Sequence, residues 1–313
     1  MRKSAFIVIL LMVFCSQLSQ AQQDALYTQY QFQKLAINPA YAGSRGGFSG
    51  ALIYRDQWRN IEGAPQTASL TMHGAVADGR IGLGLQFMSD RLGVLDETGA
   101  WGSFVYRIPA GQGHFNIGLS GGVAYWRTSL EGTFVVDADD PVFTADRALW
   151  LPNVGAGIYY HTERVYFGLA APRLIDNELQ ATSQAVSGAQ SARRVRHYNA
   201  MGGVVIDLGS AVKMRPAMLL RYVENAPFLT ETNLSFLFID RLWLGAGYRV
   251  GASYDFNMEV NLTENLRLGY SYDWVQGEIG GQTGGSHEFM LGIDLSGKAP
   301  PMNNPRSFPP NYF

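Results

Sequence analysis

Alternation with a period of two residues recurs along almost the whole chain, and it constrains the fold more than any other feature. Successive side chains of a strand point to opposite faces, so a period of two marks a segment with one apolar and one polar face. In 252–262 the apolar set is Tyr254, Phe256, Met258, Val260 and Leu262, against Ser253, Asp255, Asn257, Glu259 and Asn261. In 266–274 Leu266, Leu268, Tyr270, Tyr272 and Trp274 oppose Arg267, Gly269, Ser271 and Asp273. In 81–88 Ile81, Leu83, Leu85 and Phe87 oppose Gly82, Gly84 and Gln86. Such segments fall at 47–55, 66–76, 80–89, 97–108, 113–128, 153–160, 165–171, 196–207, 212–223, 230–239, 242–249, 252–262, 266–275 and 286–295. Many have about ten residues, the length of a tilted transmembrane strand. The expected fold is all-β: a transmembrane antiparallel β-barrel of about 14 strands with an irregular N-terminal segment.

The connections point the same way. Even-numbered ones are short, centring on 78–79, 110–112, 162–164, 209–210, 240–241 and 263–265. Most odd-numbered ones are longer, with 129–152 and 172–195 very long and a tight link at 250–251 as the exception. Short periplasmic turns and long outer loops characterise outer-membrane barrels. With the first strand running outward, Tyr54, Phe87, Tyr125, Tyr222, Tyr254, Tyr272 and Trp274 fall near the outer rim, and Tyr106 and Tyr160 near the periplasmic rim. Those are the two interfacial girdles of such a barrel. A soluble sandwich or propeller also alternates, but no repeat of 40–50 residues supports a propeller. Pro216, in the middle of 212–223, resists a closed barrel and calls for a bulge or a shorter strand.

The first 21 residues read as a secretory signal peptide. Arg2 and Lys3 precede an apolar run over 5–14, too short to span a bilayer, and Ser19 and Ala21 suit a cut after Ala21. Phe14 before Cys15 disfavours lipid attachment there. Cleavage would remove the chain's one cysteine, leaving no disulfide and no thiolate site. It would also take the formal net charge from -2 to about -4, which argues against nucleic acid binding. Only 16% of residues are charged and 36 are glycine, as suits an exported all-β protein.

Catalytic and metal motifs are weak. Gly118-Leu119-Ser120-Gly121-Gly122 matches a nucleophile pattern, which needs a strand-turn-helix elbow, but it lies within a strand. His73, His114, His161, His197 and His287 lack the helical spacing of a zinc site and read as turn or lumen residues. Asp137, Asp139, Asp140 and Asp146 form no calcium-loop pattern. Arg193, Arg194 and Arg196 read as rim charges. No cofactor and no catalytic residue is expected.

Two aromatic blocks break the strand pattern. The first is Gln29-Tyr30-Gln31-Phe32-Gln33-Lys34-Leu35-Ala36-Ile37-Asn38-Pro39-Ala40-Tyr41-Ala42-Gly43. The second is Arg55-Asp56-Gln57-Trp58, followed by Gly63-Ala64-Pro65-Gln66-Thr67. Asn38-Pro39 favours turn initiation, and Gly43 permits an unusual backbone angle. Tyr30, Phe32 and Tyr41 offer large apolar area with little side-chain entropy. A 14-stranded barrel encloses a lumen that must leak or be filled. Residues 22–46 are available as a filler; preceding an outward strand, they are expected to start on the periplasmic side. They would either plug the lumen or present their aromatics to a periplasmic partner.

Both blocks resemble the PorP/SprF family of outer-membrane proteins linked to type IX secretion and gliding motility. The first matches the family's entry pattern except at Gln33, where Asn is commoner; the second is similar to its R-x-Q-W…G-A-P-x-T block. His287-Glu288-Phe289-Met290-Leu291 resembles the last-strand signature. The resemblance implies a non-enzymatic outer-membrane component that docks a secreted, adhesin-like protein carrying a type IX C-terminal signal. Other type IX or peptidoglycan-anchoring components and outer-membrane lipids would be its further neighbours. Tyr30, Phe32, Asn38, Pro39, Tyr41, Gly43, Arg55, Gln57, Trp58, Gly63 and Pro65 are the candidate partner-binding or lumen-contact residues. A passive diffusion channel for small solutes is the alternative. The expected division is signal peptide 1–21, N-terminal segment 22–46, barrel 47–295 and a proline-rich tail 296–313.

Overall fold

The computed structural model describes residues 27–129, 147–179, 193–224 and 226–295. The expected signal peptide 1–21, the acidic stretch 137–146 and the tail 296–313 lie outside these residues. Fourteen antiparallel strands form the wall. The first seven are β1 (Phe48–Asp56), β2 (Gln66–Val76), β3 (Ile81–Leu92), β4 (Leu95–Ala110), β5 (Gly113–Thr128), β6 (Arg147–His161) and β7 (Val165–Arg173). β8 (His197–Val204) continues after a break at Val205 as Ile206–Asp207. Then come β9 (Val212–Val223), β10 (Leu229–Phe238), β11 (Leu242–Arg249), β12 (Ser253–Asn261), β13 (Leu266–Val275) and β14 (Ser286–Leu295). Each strand pairs with its chain neighbours, and β1 also pairs with β14, so the sheet closes without a free edge.

The wall is inside out relative to a soluble protein. On β12, Tyr254, Phe256 and Met258 face outward, 41% to 55% exposed, while Asp255 and Glu259 are buried. On β1 the outward residues are Phe48, Leu52 and Tyr54, and the inward ones Ser49, Ile53 and Arg55. A soluble sandwich would bury the aromatic face, so an apolar exterior around a polar interior selects the membrane barrel.

Loop lengths match expectation except at two places. β3 and β4 extend beyond their expected ends and meet in a tight turn at Gly93, φ +56°, so the second outer connection is a tall hairpin. β6 starts at Arg147, which makes the third loop shorter than 129–152. Pro216 needs neither a bulge nor a shortened strand. β9 stays whole and keeps Pro216 opposite Leu234 of β10. Its other neighbour gives way: β8 breaks at Val205, whose N–H turns to the Arg164 carbonyl at 2.7 Å, and pairing resumes at Ile206 with the register unchanged. The interruption sits where a proline has no N–H to offer a ladder.

Candidate functional site

The lumen is filled by the chain's own segment 27–45. It carries two 3-10 turns, Lys34–Ala36 and Pro39–Tyr41, instead of strand. Asn38 caps the second turn, its Oδ1 accepting from Ala40 N–H at 2.9 Å, and Pro39 occupies the first helical position. Tyr30, Phe32, Asn38, Pro39 and Tyr41 are all buried. Tyr30 and Tyr41 pack with Leu35 and Ile37 against Val105, Tyr159, Tyr166 and Leu219 of the wall. Phe32 joins Tyr27, Ile53, Trp243 and Met290 in a second cluster.

The segment descends the lumen from the outer end. Thr28 meets Arg55, Asp273 and Glu288, which lie near the outer ends of β1, β13 and β14. Gln33 reaches Ser69 and Thr71 at mid-depth. Arg45 pairs with Asp294, near the periplasmic end of β14, at 3.5 Å. Residues 27–29 therefore do not lie at the periplasmic side, where the segment was expected to start. Order along the chain says which strand follows the segment, but not which way the segment crosses a lumen wide enough to hold it.

Two kinds of wall hold the filler. On β1 and β10–β14 the wall is charged. Arg55 pairs with Asp273 at 2.6 Å and Glu288 at 3.1 Å. Arg249 pairs with Glu231 at 2.9 Å and Asp273 at 3.6 Å, and Arg267 with Asp294 at 2.7 Å and Glu259 at 3.1 Å. Glu288 also accepts from the backbone N–H of Thr28 at 3.0 Å and of Gln29 at 2.8 Å. The Arg55 guanidinium thus ties the start of the filler to the barrel, donating to Thr28 Oγ1 at 2.9 Å. Buried charges persist only when paired and hydrogen-bonded, as these are.

On β3 and β5–β7 the wall is glycine. A methyl group on Gly118 would land on the Ala40 backbone, on Gly82 on the Ala42 carbonyl, and on Gly157 on the Asn38 side chain. The filler's main chain lies directly on these strands. Its carbonyls are met by wall amides: Asn199 Nδ2 donates to Ile37 at 3.0 Å and Asn116 Nδ2 to Ala40 at 3.2 Å. Asn38 Nδ2 donates back to the Ile158 carbonyl at 3.0 Å. Gly43 needs its glycine twice over, for φ +77° and for its approach to Gly82. The nucleophile-like run at 118–122 lies inside β5, with no strand-to-helix elbow; its first glycine seats the filler.

The second block forms the outer rim. Beyond Arg55 the first loop is sewn to its neighbours: Gln57 N–H donates to Pro65 O at 2.9 Å, and Arg59 N–H to Gly285 O at 2.8 Å. Gly93 N–H donates to Gly63 O at 2.8 Å. Gly63 at φ +74° and Trp58 at φ +51° shape the turn. Gln57, Trp58 and Pro65 line a vestibule of about 680 Å³ above the filler, with Trp126 and Phe228 opposite and Arg55, Arg249 and Asp273 at its floor. Of the rim arginines, Arg194 pairs with Glu97 and Arg196 with Asp176.

The candidate residues therefore fall in three places: the filler (Tyr30, Phe32, Asn38, Pro39, Tyr41, Gly43), the wall that clamps it (Arg55) and the rim (Gln57, Trp58, Gly63, Pro65). Sequence reasoning did not single out Glu288, Asp273, Arg249 or the inward glycines. Their signal was present as charged or glycyl residues on the polar face of strands, but nothing in a single strand says which charges meet.

A family model described as "Type IX secretion system membrane protein PorP/SprF" matches residues 19–293. No match was found among curated proteins. Among solved structures, the chain is similar to the outer membrane protein Omp33 of Acinetobacter baumannii, at 8% identity and TM-score 0.44, over 80% of this chain and 98% of that one. It is also similar to the NanC porin, at 12% identity and TM-score 0.40, over 80% and 100% of the two chains. BamA of Haemophilus ducreyi lacking POTRA domains 1–3 follows at 9% identity and TM-score 0.41, over 80% and 70%.

Proposed function

Because this chain belongs to the PorP/SprF family of type IX secretion system membrane proteins, we propose that it docks a secreted or surface-anchored, adhesin-like protein at the outer membrane. It is an outer-membrane β-barrel, and the family implies association with other secretion components. The observation that carries the docking role is the combination of a filled lumen and an open vestibule above it. Wall and filler share buried cores and the Arg45–Asp294 ion pair, which opposes steady flow of solutes. The vestibule offers Trp58, Trp126 and Phe228 around a charged floor. Aromatic residues and arginine are the residue types enriched at protein docking surfaces. The proposed role is non-enzymatic, and the matched secretion family supports that reading.

Two measurements test this together. Purified protein in planar bilayers is expected to show no steady conductance. Affinity purification from detergent-solubilised outer membranes is expected to yield a protein bearing a type IX C-terminal signal, and Trp58→Ala to reduce that yield at least tenfold. A steady open pore with no such partner would favour the diffusion channel instead.

A further inference from the structure

We propose that the periplasmic mouth of the lumen binds an oxyanion, a phosphate or carboxylate group, between Arg107, His114 and His161. The three side chains come from adjacent strands, β4, β5 and β6, and all lie on the lumen face of the wall. His114 and His161 are direct cross-strand partners, their rings stacked 5.6 Å between centroids and 20° from parallel. Arg107 lies opposite Asn116, one diagonal step from His114, a separation of about 7–8 Å that a long side chain spans. Arg107 and His161 are 6% and 7% exposed. His114, beside the turn at 111–112, is only partly buried and leaves the group open to the periplasm.

The group carries positive charge without a counter-charge. Arg107 donates from Nη1 to the Gly79 carbonyl at 2.9 Å, a neutral partner. Among the described residues no carboxylate pairs with Arg107 or with either histidine; Asp78 and Glu163, on the flanking turns, do not reach them. Arg107 Nε and His161 Nε2 are buried and have no hydrogen-bond partner among the described residues. On the charged wall, by contrast, Arg55, Arg249 and Arg267 each touch two carboxylates. A guanidinium does not shed its proton, and a buried charge persists only when paired. Two imidazoles alone would suit a divalent metal, but the fixed charge of Arg107 acts on both rings and repels a cation. An oxyanion uses all three groups: the guanidinium fork matches its geometry, and imidazole N–H groups add donors. Lipid head groups are excluded as its source, because lipid meets the opposite face of these strands, at Phe104, Tyr106 and Ile117. The anion is therefore free in the periplasm or carried on a periplasmic protein. The site adjoins the lower filler, since Asn116, opposite Arg107, donates to Ala40 O and Ser44 Oγ. It is separate from the vestibule and does not depend on the docking role.

The test is isothermal titration calorimetry of the full chain in detergent, in a buffer free of phosphate and carboxylate. Sodium phosphate and sodium acetate are the probes, with sodium chloride at matched ionic strength as the control. Saturable binding of phosphate or acetate is expected, with none for chloride. Arg107→Gln is expected to weaken it about tenfold or more, the loss of a hydrogen bond between charged groups. His161→Phe, which keeps the ring stack and removes the nitrogens, is expected to weaken it about threefold or more. Arg91→Gln, on the outer hairpin, is expected to leave it unchanged. No saturable binding of either probe overturns the proposal, and so does an equal response to chloride. Unchanged affinity in Arg107→Gln overturns it; if that variant does not fold, unchanged affinity in His161→Phe does. Saturable binding of zinc chloride in place of both oxyanions overturns it in favour of a metal site. A hexaglutamate peptide then separates the two sources: tighter binding than acetate supports a protein carboxylate, and weaker binding supports a free anion.

Discussion

The two sides of the lumen hold the same segment by opposite means. The β1 and β10–β14 side uses Arg55, Asp273, Glu288 and their neighbours, groups that would be untenable in a membrane interior unless paired. The β3 and β5–β7 side omits side chains at the points of closest approach, where Gly82 and Gly118 meet the filler's main chain and Gly157 the Asn38 side chain. The charged side holds both ends of the filler by direction-dependent bonds, Thr28 and Gln29 at the outer end and Arg45 at the lower, and the glycine side seats the stretch between Asn38 and Gly43 by shape. The contrast teaches that a barrel can be closed without a separate plug domain if one wall supplies charge and the other supplies space.

The sharpest way to break the charged side is Arg55→Ala. It leaves Asp273 and Glu288 without that partner and releases Thr28, and a loss of about 3–5 kcal/mol is expected. Thermal unfolding of the refolded barrel would read it, and bilayer conductance would show whether the upper filler has come loose. An unchanged melting temperature would mean that the clamp holds nothing. The matching assault on the glycine side is Gly118→Val, which drives a side chain into the Ala40 backbone. Overpacking of this kind costs about 1–3 kcal/mol. The lower filler should then become sensitive to protease added from the periplasmic side, while the outer end stays protected. Loss of protection at both ends would show that the two sides are one cooperative unit. Asn38→Ala is milder, removing the cap of the Pro39–Tyr41 turn and a bond to the Ile158 carbonyl. About 0.5–2 kcal/mol is expected, seen as a smaller shift in the same melt. Trp58→Ala should be smallest of all for stability, within about 0.5 kcal/mol, because its side chain lines the rim cavity and not the filler. Its effect belongs to partner capture, and a large loss of stability would mark Trp58 as structural.

The wall was legible because a lipid-facing strand writes its environment into every second residue. All fourteen strands lie at or near the spans read from alternation, and most boundaries agree to within two residues. β3, β4 and β6 ran longer because alternation fades where a strand rises above the lipid and both faces meet water. The two aromatic blocks were visible as departures from the pattern. That Arg55 of one would grip Thr28, the residue just before the other, was not. Glu288 was quoted within the last-strand signature without a role, because its partners lie across the barrel seam at the far end of the chain. The inward glycines looked like padding in a strand until the segment that needs their space lay on them.

By itself the sequence determined that the chain makes a barrel, how many strands it has, which face meets lipid, and which two segments lie outside the pattern. Those properties are local: each follows from the side-chain period of a short stretch and the length of the turn after it. Only the tertiary structure decided that the first segment fills the lumen, that it descends from the outer end, and that one wall grips it by charge and the other seats it on glycines. Those are pairings between residues that lie from 27 to 260 positions apart, brought together by closure of β1 on β14.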